Sequence, residues 1–267
     1  MDWQAIWETV KLFKYVFKLP KWWECILYAF NYYFRKPVNV IIFGTTGSGK
    51  SEFVRALLNQ EVDTVNPPRT RFYIGKRLIL KNGRKIKFLD VPGHSSLKQQ
   101  RTSVTELILR KKIKGIINVV TFGYNDAEES EDVTIFKIDN TENPVVKNDY
   151  LSKNRLRELE QIQEWESFIT STNKVEWVIT VVNKSDIWYK NKEEVLSYYQ
   201  HGPYYEKFIK TIEKVCKTNV YPYCSIISPF ANKPMTLSFS ERDKVKMHNE
   251  LKNDILKLIE GEYEKGF

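Results

Sequence analysis

Val38-Asn39-Val40-Ile41-Ile42-Phe43-Gly44-Thr45-Thr46-Gly47-Ser48-Gly49-Lys50-Ser51, continuing into Glu52–Leu58, is the stretch that decides the fold. Val38–Phe43 is an apolar run rich in β-branched residues, which predicts a buried strand. The turn Gly44-x-x-x-x-Gly49-Lys50-Ser51 has the spacing at which a backbone curls with successive N–H groups pointing inward. Glu52–Leu58 reads as an amphipathic helix whose positive end faces the same point. Together they predict a cradle for phosphate oxygens made by Gly44, Thr45, Thr46, Gly47, Ser48 and Gly49. Lys50 is placed to neutralise β- and γ-phosphates, and Ser51 to bind Mg²⁺.

Outward from this unit the pattern repeats. Phe72–Leu80 and Arg84–Leu89 flank Asn82-Gly83, a strong hairpin turn pair. Gly115–Thr121 and Val175–Val182 read as two more buried strands. Between them lie a long polar loop and a helix with Leu156, Leu159, Ile162 and Ile169 on one face. Val220–Cys224 reads as the last strand. The terminal helix starts at Ser240, with Asp243 three residues on as a capping-box signal, and stops near Gly261. Strands alternating with helices predict an α/β fold, a doubly wound and mainly parallel sheet with helices on both faces. This domain is expected over residues 38–267, with an insertion around 122–150.

Residues 1–37 read as an aromatic, amphipathic helical extension. They hold Trp3, Trp7, Trp22 and Trp23, four of the seven tryptophans, a concentration the rest of the chain lacks. Ile6, Val10, Phe13 and Phe17 recur on one helix face. Pro20 breaks that helix, Lys21–Arg35 forms a second, and Pro37 ends it.

Composition bounds the function. The chain has 267 residues, 42% of them hydrophobic, which supports a sizeable core and excludes wholesale disorder. Its net charge of +9 favours anionic partners without choosing among them. Three scattered cysteines make neither a disulfide framework nor a zinc site, so a reducing, cytoplasmic setting is expected. Cys25–Phe34 is uncharged but ten residues long, short of the roughly 20 a spanning helix needs. Arg110-Lys111-Lys112 and Lys114 read as the basic close of a helix, and there is no nucleic-acid-binding signature.

Two further strand ends carry chemistry. Asp90-Val91-Pro92-Gly93-His94 follows a strand, where a carboxylate can hold Mg²⁺, mostly through water. Asn183-Lys184-Ser185-Asp186 follows another. A carboxylate at its end can accept both N1–H and the 2-amino group of guanine, whereas adenine offers no such donor pair.

These motifs, in this order, resemble the GTPase domain of the Ras-like, translation-factor-related superfamily of phosphate-loop proteins. The resemblance covers about Val38–Glu260. Asp90-Val91-Pro92-Gly93-His94 with Ser95-Ser96-Leu97-Lys98 looks most like the signal-recognition-particle receptor β subunit and Arf-like GTPases, and a bacterial GTPase branch fits equally well. The resemblance implies GTP or GDP with Mg²⁺ as ligands. Gly44–Ser51, Gly93, Asn183, Lys184, Asp186 and Ser225 would bind the nucleotide. Ser51, Thr70 and Asp90 would hold the metal, with Thr64 as the alternative to Thr70. His94 occupies the position of the water-orienting residue, so His94, Lys50 and Thr70 are the expected catalytic residues. Thr46 departs from the glycine many members carry, which would slow hydrolysis. Gly47 stands where potassium-activated relatives carry asparagine, so no potassium dependence is expected.

The resulting expectation is a Mg²⁺-dependent GTP-binding protein that hydrolyses GTP slowly and switches shape. The alternative is a low-turnover GTP-binding receptor or scaffold. Residues 1–37 would pack on the domain or on a second copy, contact a membrane surface peripherally, or bind another protein. Acidic residues Asp126, Glu128, Glu129, Glu131 and Asp132 make the insertion a solvated loop or a partner-binding lid.

Overall fold

The computed structural model describes residues 22–34, 36–58, 74–79, 83, 85–90, 113–125, 135–138, 144–172, 175–227, 230 and 239–260. In chain order the elements are α1 (Trp22–Phe34), β1 (Val38–Phe43), α2 (Lys50–Leu57), β2 (Ile74–Ile79), β3 (Lys85–Asp90), β4 (Ile113–Val120), β5 (Phe136–Ile138) and β6 (Pro144–Val146). They continue with α3 (Asn148–Thr172), β7 (Trp177–Val182), α4 (Ser185–Trp188), α5 (Lys192–Gln200), a π-helical turn (Tyr205–Ile209) running into α6 (Lys210–Ile212), β8 (Lys217–Pro222) and α7 (Glu241–Glu260). The chain divides into two compact units, residues 1–38 with 77–87, and residues 39–76 with 88–267.

The strands form one sheet in the order β2-β3-β1-β4-β7-β8, of which β4, β7 and β8 lie wholly within the larger unit. The pairs β1/β4, β4/β7 and β7/β8 are parallel. Their registers place Phe43 beside Asn118, Val120 beside Val182, and Val182 beside Pro222, so these strands end along one edge. That edge, where parallel α/β sheets present their loops, is where the motif residues emerge. The central strands are buried on both faces, as their unbroken apolar runs require.

Helix α3 supplies much of the packing. Leu151, Asn154, Glu158, Ile162, Trp165 and Ile169 recur at spacings of three and four and are all buried. The Trp165 ring stacks on Phe43 of β1 at 4.1 Å. Each fully buried side chain of this size contributes about 1.5–3 kcal/mol. Gly115 of β4 lies beside Trp177 of β7, and a Cβ there would come within 2.0 Å of the indole Cζ2. The absent side chain makes room for the ring.

The smaller unit contains α1. Tyr28 and Tyr32 stack on one another along it, 6.0 Å apart. Gly83 has φ 79°, and a Cβ there would sit 2.2 Å from the Tyr28 carbonyl oxygen, so the turn residue is fixed by conformation and by space. The Lys85 ammonium lies 4.6 Å over the Tyr32 ring. Tyr33 and Phe34 are 75% and 63% exposed, which leaves the end of α1 apolar toward solvent. Among the described residues, no helix is long and apolar enough to cross a membrane.

Several expectations change. Leu156 is 51% exposed, because the inward stripe of α3 runs through Asn154 and Glu158 instead. β8 begins at Lys217, since three polar residues at the sheet edge still pair with Trp177–Ile179. Lys114 lies in β4 rather than at a helix end, and its ammonium pairs with Glu176 at 2.9 Å. The insertion carries an antiparallel ribbon, β5 with β6. Its Val146 joins Tyr150, Leu151 and Phe230 in a small apolar cluster. The helical stretch 192–212 had no counterpart in the sequence reading, although Tyr199, Tyr204, Phe208 and Ile212 are fully buried.

Candidate nucleotide site

The turn between β1 and α2 depends on glycines at three positions. Gly44, Gly47 and Gly49 have φ of 145°, 74° and 77°. A Cβ on Gly44 would meet the Val119 carbonyl oxygen at 2.3 Å, and one on Gly49 would meet Asn183 Nδ2 at 2.7 Å. The loop is thus pressed between β4 and the strand-end residue Asn183. Lys50 opens α2, and its ammonium donates to the carbonyl oxygens of Gly44 and Thr45, both at 2.8 Å. Ser51 follows it, half-buried. The opposite face of α2 carries Phe53, Val54 and Leu57 into the core, which anchors the loop's helical end.

Asn183 joins three segments. Its Nδ2 donates to the Ser48 carbonyl at 3.0 Å. Its Oδ1 accepts from the Ser225 N–H at 3.1 Å and the Ser225 hydroxyl at 2.9 Å. Its own carbonyl accepts from the Trp188 indole at 2.8 Å. Lys184 then adopts a left-handed conformation (φ 58°) and caps α4, which carries Asp186 in its first turn. The Ser185 N–H donates to the Tyr223 carbonyl at 3.0 Å, which ties this loop to the one after β8. Asp186 is buried, and the Cys224 thiol lies 3.5 Å from its Oδ1 as donor. Burial, and then the Asp186 charge, push the Cys224 thiol far above its ordinary range. Cys224 is therefore a packed thiol, not a reactive one. The Lys184 ammonium lies 5.3 Å over the Phe230 ring, a residue the sequence did not single out.

Asp90 is the last residue of β3, and its side chain is not described. Thr64, Thr70, Gly93 and His94 lie outside the described residues, as do Asp126, Glu128, Glu129, Glu131 and Asp132. The structure thus brings together Gly44–Ser51, Asn183–Asp186 and Ser225.

A family model described as 50S ribosome-binding GTPase matches residues 39–184. The chain belongs to that family. Translation initiation factor IF-2 from Borrelia garinii subsp. bavariensis is 28% identical over 134 residues, 48% of this chain and 15% of the factor. The same factor from Streptococcus pneumoniae is 35% identical over 77 residues, 28% of the chain and 8% of the factor. The matches therefore take in less than one sixth of those factors' length. Among solved structures, Toc33 from Arabidopsis thaliana in complex with Mg²⁺ and GMPPNP aligns with TM-score 0.48 and 15% identity, covering 85% of each chain. The mammalian signal-recognition-particle receptor aligns with TM-score 0.46 and 14% identity over 82% of this chain and 99% of that one.

Next to the Gly44–Ser51 loop lies a polar cluster that the sequence reading missed. Glu158 of α3 is 2% exposed. Its Oε1 accepts from the N–H groups of Thr121 and Gly123 at 2.9 and 3.2 Å, and its Oε2 accepts from the Tyr199 hydroxyl at 2.9 Å. Burial raises the Glu158 carboxyl above its usual range, and these hydrogen bonds, that of the Thr121 N–H foremost, oppose the rise. The available signal was in the periodicity: two polar residues, Asn154 and Glu158, interrupt the apolar stripe of α3.

Proposed function

We propose that the chain is a Mg²⁺-dependent guanine-nucleotide switch that hydrolyses GTP slowly. The observation that carries this reading is the three-way clamp at Asn183. One amide ties the phosphate-type loop at Ser48 to the loop after β8 at Ser225, with buried Asp186 three residues on. A ligand with phosphates at one end and a base with two adjacent donors at the other fits this arrangement. Gly44–Gly49 would present N–H groups to the phosphates, and Lys50 would exchange its loop carbonyls for phosphate oxygens. Asp186 would accept N1–H and the 2-amino group of guanine, with Ser225 closing the base site.

The Ser51 hydroxyl and the Asp90 carboxylate are hard oxygen donors of the kind Mg²⁺ takes, and they would hold it together with Thr70. When bound, Mg²⁺ supplies positive charge to the β- and γ-phosphate oxygens. His94 would orient the attacking water, and Thr70 and Gly93 would follow the γ-phosphate. Their release after hydrolysis is the switch.

The test is nucleotide selectivity. The wild-type chain should bind GTP and GDP far more tightly than ATP and ADP. Asp186→Asn should weaken GTP by roughly tenfold to a hundredfold, since a charged hydrogen bond is worth about 1.5–3 kcal/mol. The same variant should gain affinity for xanthine nucleotides, whose 2-oxo group pairs with an amide. Equal affinity of the wild type for ATP and GTP defeats the proposal.

A second reading, a receptor or scaffold that holds GTP with little turnover, is favoured by the exposed Tyr33 and Phe34 of α1. Residues 1–37 would then dock the domain on a membrane surface, a second copy or another protein. Single-turnover hydrolysis by the purified chain separates the two readings.

A further inference from the structure

β4 leaves the sheet through Thr121-Phe122-Gly123-Tyr124-Asn125, and two consecutive residues there are left-handed, Phe122 at φ 57° and Gly123 at φ 86°. A left-handed phenylalanine persists only where its surroundings over-determine it. They do so here. Besides the Glu158 contacts, the Phe122 N–H donates to the Tyr199 oxygen at 2.9 Å. The Asn154 amide donates to the Gly123 carbonyl at 3.0 Å. The Tyr150 hydroxyl donates to the Asn125 carbonyl at 2.6 Å. All of these contacts are buried, and four of the contributing side chains come from three turns of α3 and from α5.

A buried carboxylate held by four hydrogen bonds from Thr121, Gly123 and Tyr199 is a costly way to close a core, because apolar residues of similar volume would serve as well. Its output is the position of one side chain. Asn125 is 5% exposed, and its Oδ1 accepts the Thr45 hydroxyl at 3.0 Å. The Thr121 hydroxyl lies 2.8 Å from the same Oδ1 and 2.9 Å from Glu158 Oε1, so one hydrogen is shared between two acceptors. Thr45 is one of the two loop residues, with Gly44, whose carbonyls hold the Lys50 ammonium. A connected path therefore runs from α3 through Thr121 and Asn125 to the loop's lysine.

We propose that Asn125 is a positioning residue for the phosphate loop: through Thr45 it fixes the peptide that sets Lys50, and Glu158 holds Asn125 in place. This rests on the nucleotide site proposed above. Tyr150, in the first turn of α3 after the β5/β6 ribbon, bonds the Asn125 carbonyl, so chain from either side of that ribbon meets at this residue.

The experiment is a double-mutant cycle on GDP affinity, measured by calorimetry with the full chain. Thr45→Val and Asn125→Ala should each weaken GDP about tenfold, which is about 1.4 kcal/mol. The double variant should weaken it no further, because each single change already breaks the same link. Thr45→Ser, which keeps the hydroxyl, should stay within about twofold of wild type, a rescue that a purely structural role of the methyl group would not give. Thr45→Val is isosteric and Thr45→Ser removes only a methyl group, so they report even where Asn125→Ala fails to fold. Wild-type binding with unchanged single variants, or additive losses near a hundredfold in the double variant, overturns the positioning role alone. Failure of the wild-type chain to bind GDP or GTP overturns both this role and the nucleotide site.

Discussion

Replacing Asn183 by alanine tests whether one amide holds the site together. The change removes three hydrogen bonds, to the Ser48 carbonyl at 3.0 Å and from the Ser225 N–H and hydroxyl at 3.1 and 2.9 Å. Asn183 is 1% exposed, so the groups it leaves behind have little access to replacement water. At about 1 kcal/mol net for each bond, the loss is about 3 kcal/mol, and the orphaned Ser48 and Ser225 backbone groups push it upward. For a chain of this size each kcal/mol moves the midpoint by about 2–4 °C, so a drop of about 6–12 °C follows. Urea and thermal unfolding of the nucleotide-free chain, followed by far-UV circular dichroism, measure it directly. A loss below about 1 kcal/mol would refute the reasoning, because three buried hydrogen bonds cannot all be made and count for so little. Asn183→Asp separates the two halves of the clamp. It keeps oxygen acceptors for Ser225 but turns the Ser48 contact repulsive, so it should cost nucleotide affinity out of proportion to stability.

Two further outcomes follow from particular contacts. Lys50→Ala removes the ammonium that donates to Gly44 and Thr45 and, in the proposed complex, a charge-assisted phosphate contact worth about 1.5–3 kcal/mol; calorimetry should find GTP weakened at least about tenfold. Ser240 and Asp243 form the capping box of α7, with the Asp243 N–H donating to Ser240 Oγ and the Ser240 N–H to Asp243 Oδ2, both at 3.2 Å. The Ser240 hydroxyl and N–H hold the Asp243 carboxyl below its usual range. A depressed folded-state pKa gives stability that is present above the unfolded value of about 3.9 and lost as pH falls through the folded one. Ser240→Ala should therefore flatten the acid limb of a stability-versus-pH profile measured by urea unfolding.

Local chemistry determined the parts of this protein that sequence reading recovered. Val38–Phe43 could only be a buried strand, and Gly44, Gly47 and Gly49 could only be a tight turn. Ser240 with Asp243 announced the start of α7, and Asn183-Lys184-Ser185-Asp186 marked a strand-end loop that packs against Ser48 and Ser225. Each such signal lies within a few residues, where backbone conformation and side-chain type act directly on each other. The tertiary structure decided what depends on distant partners. Asn183 meets Ser48 across 135 residues of chain. Glu158 reaches Thr121 and Tyr199 across 37 and 41 residues, and Asn125 meets Thr45 across 80. No spacing rule encodes such pairs, because the sheet order that brings β1 beside β4, and β4 beside β7, exists only once the strands have paired. The same reason explains Leu156 and Glu158. Periodicity proposes an inward face for α3, but only the hydrogen-bond donors at the end of β4 make a carboxylate, rather than a leucine, the residue that can be buried there.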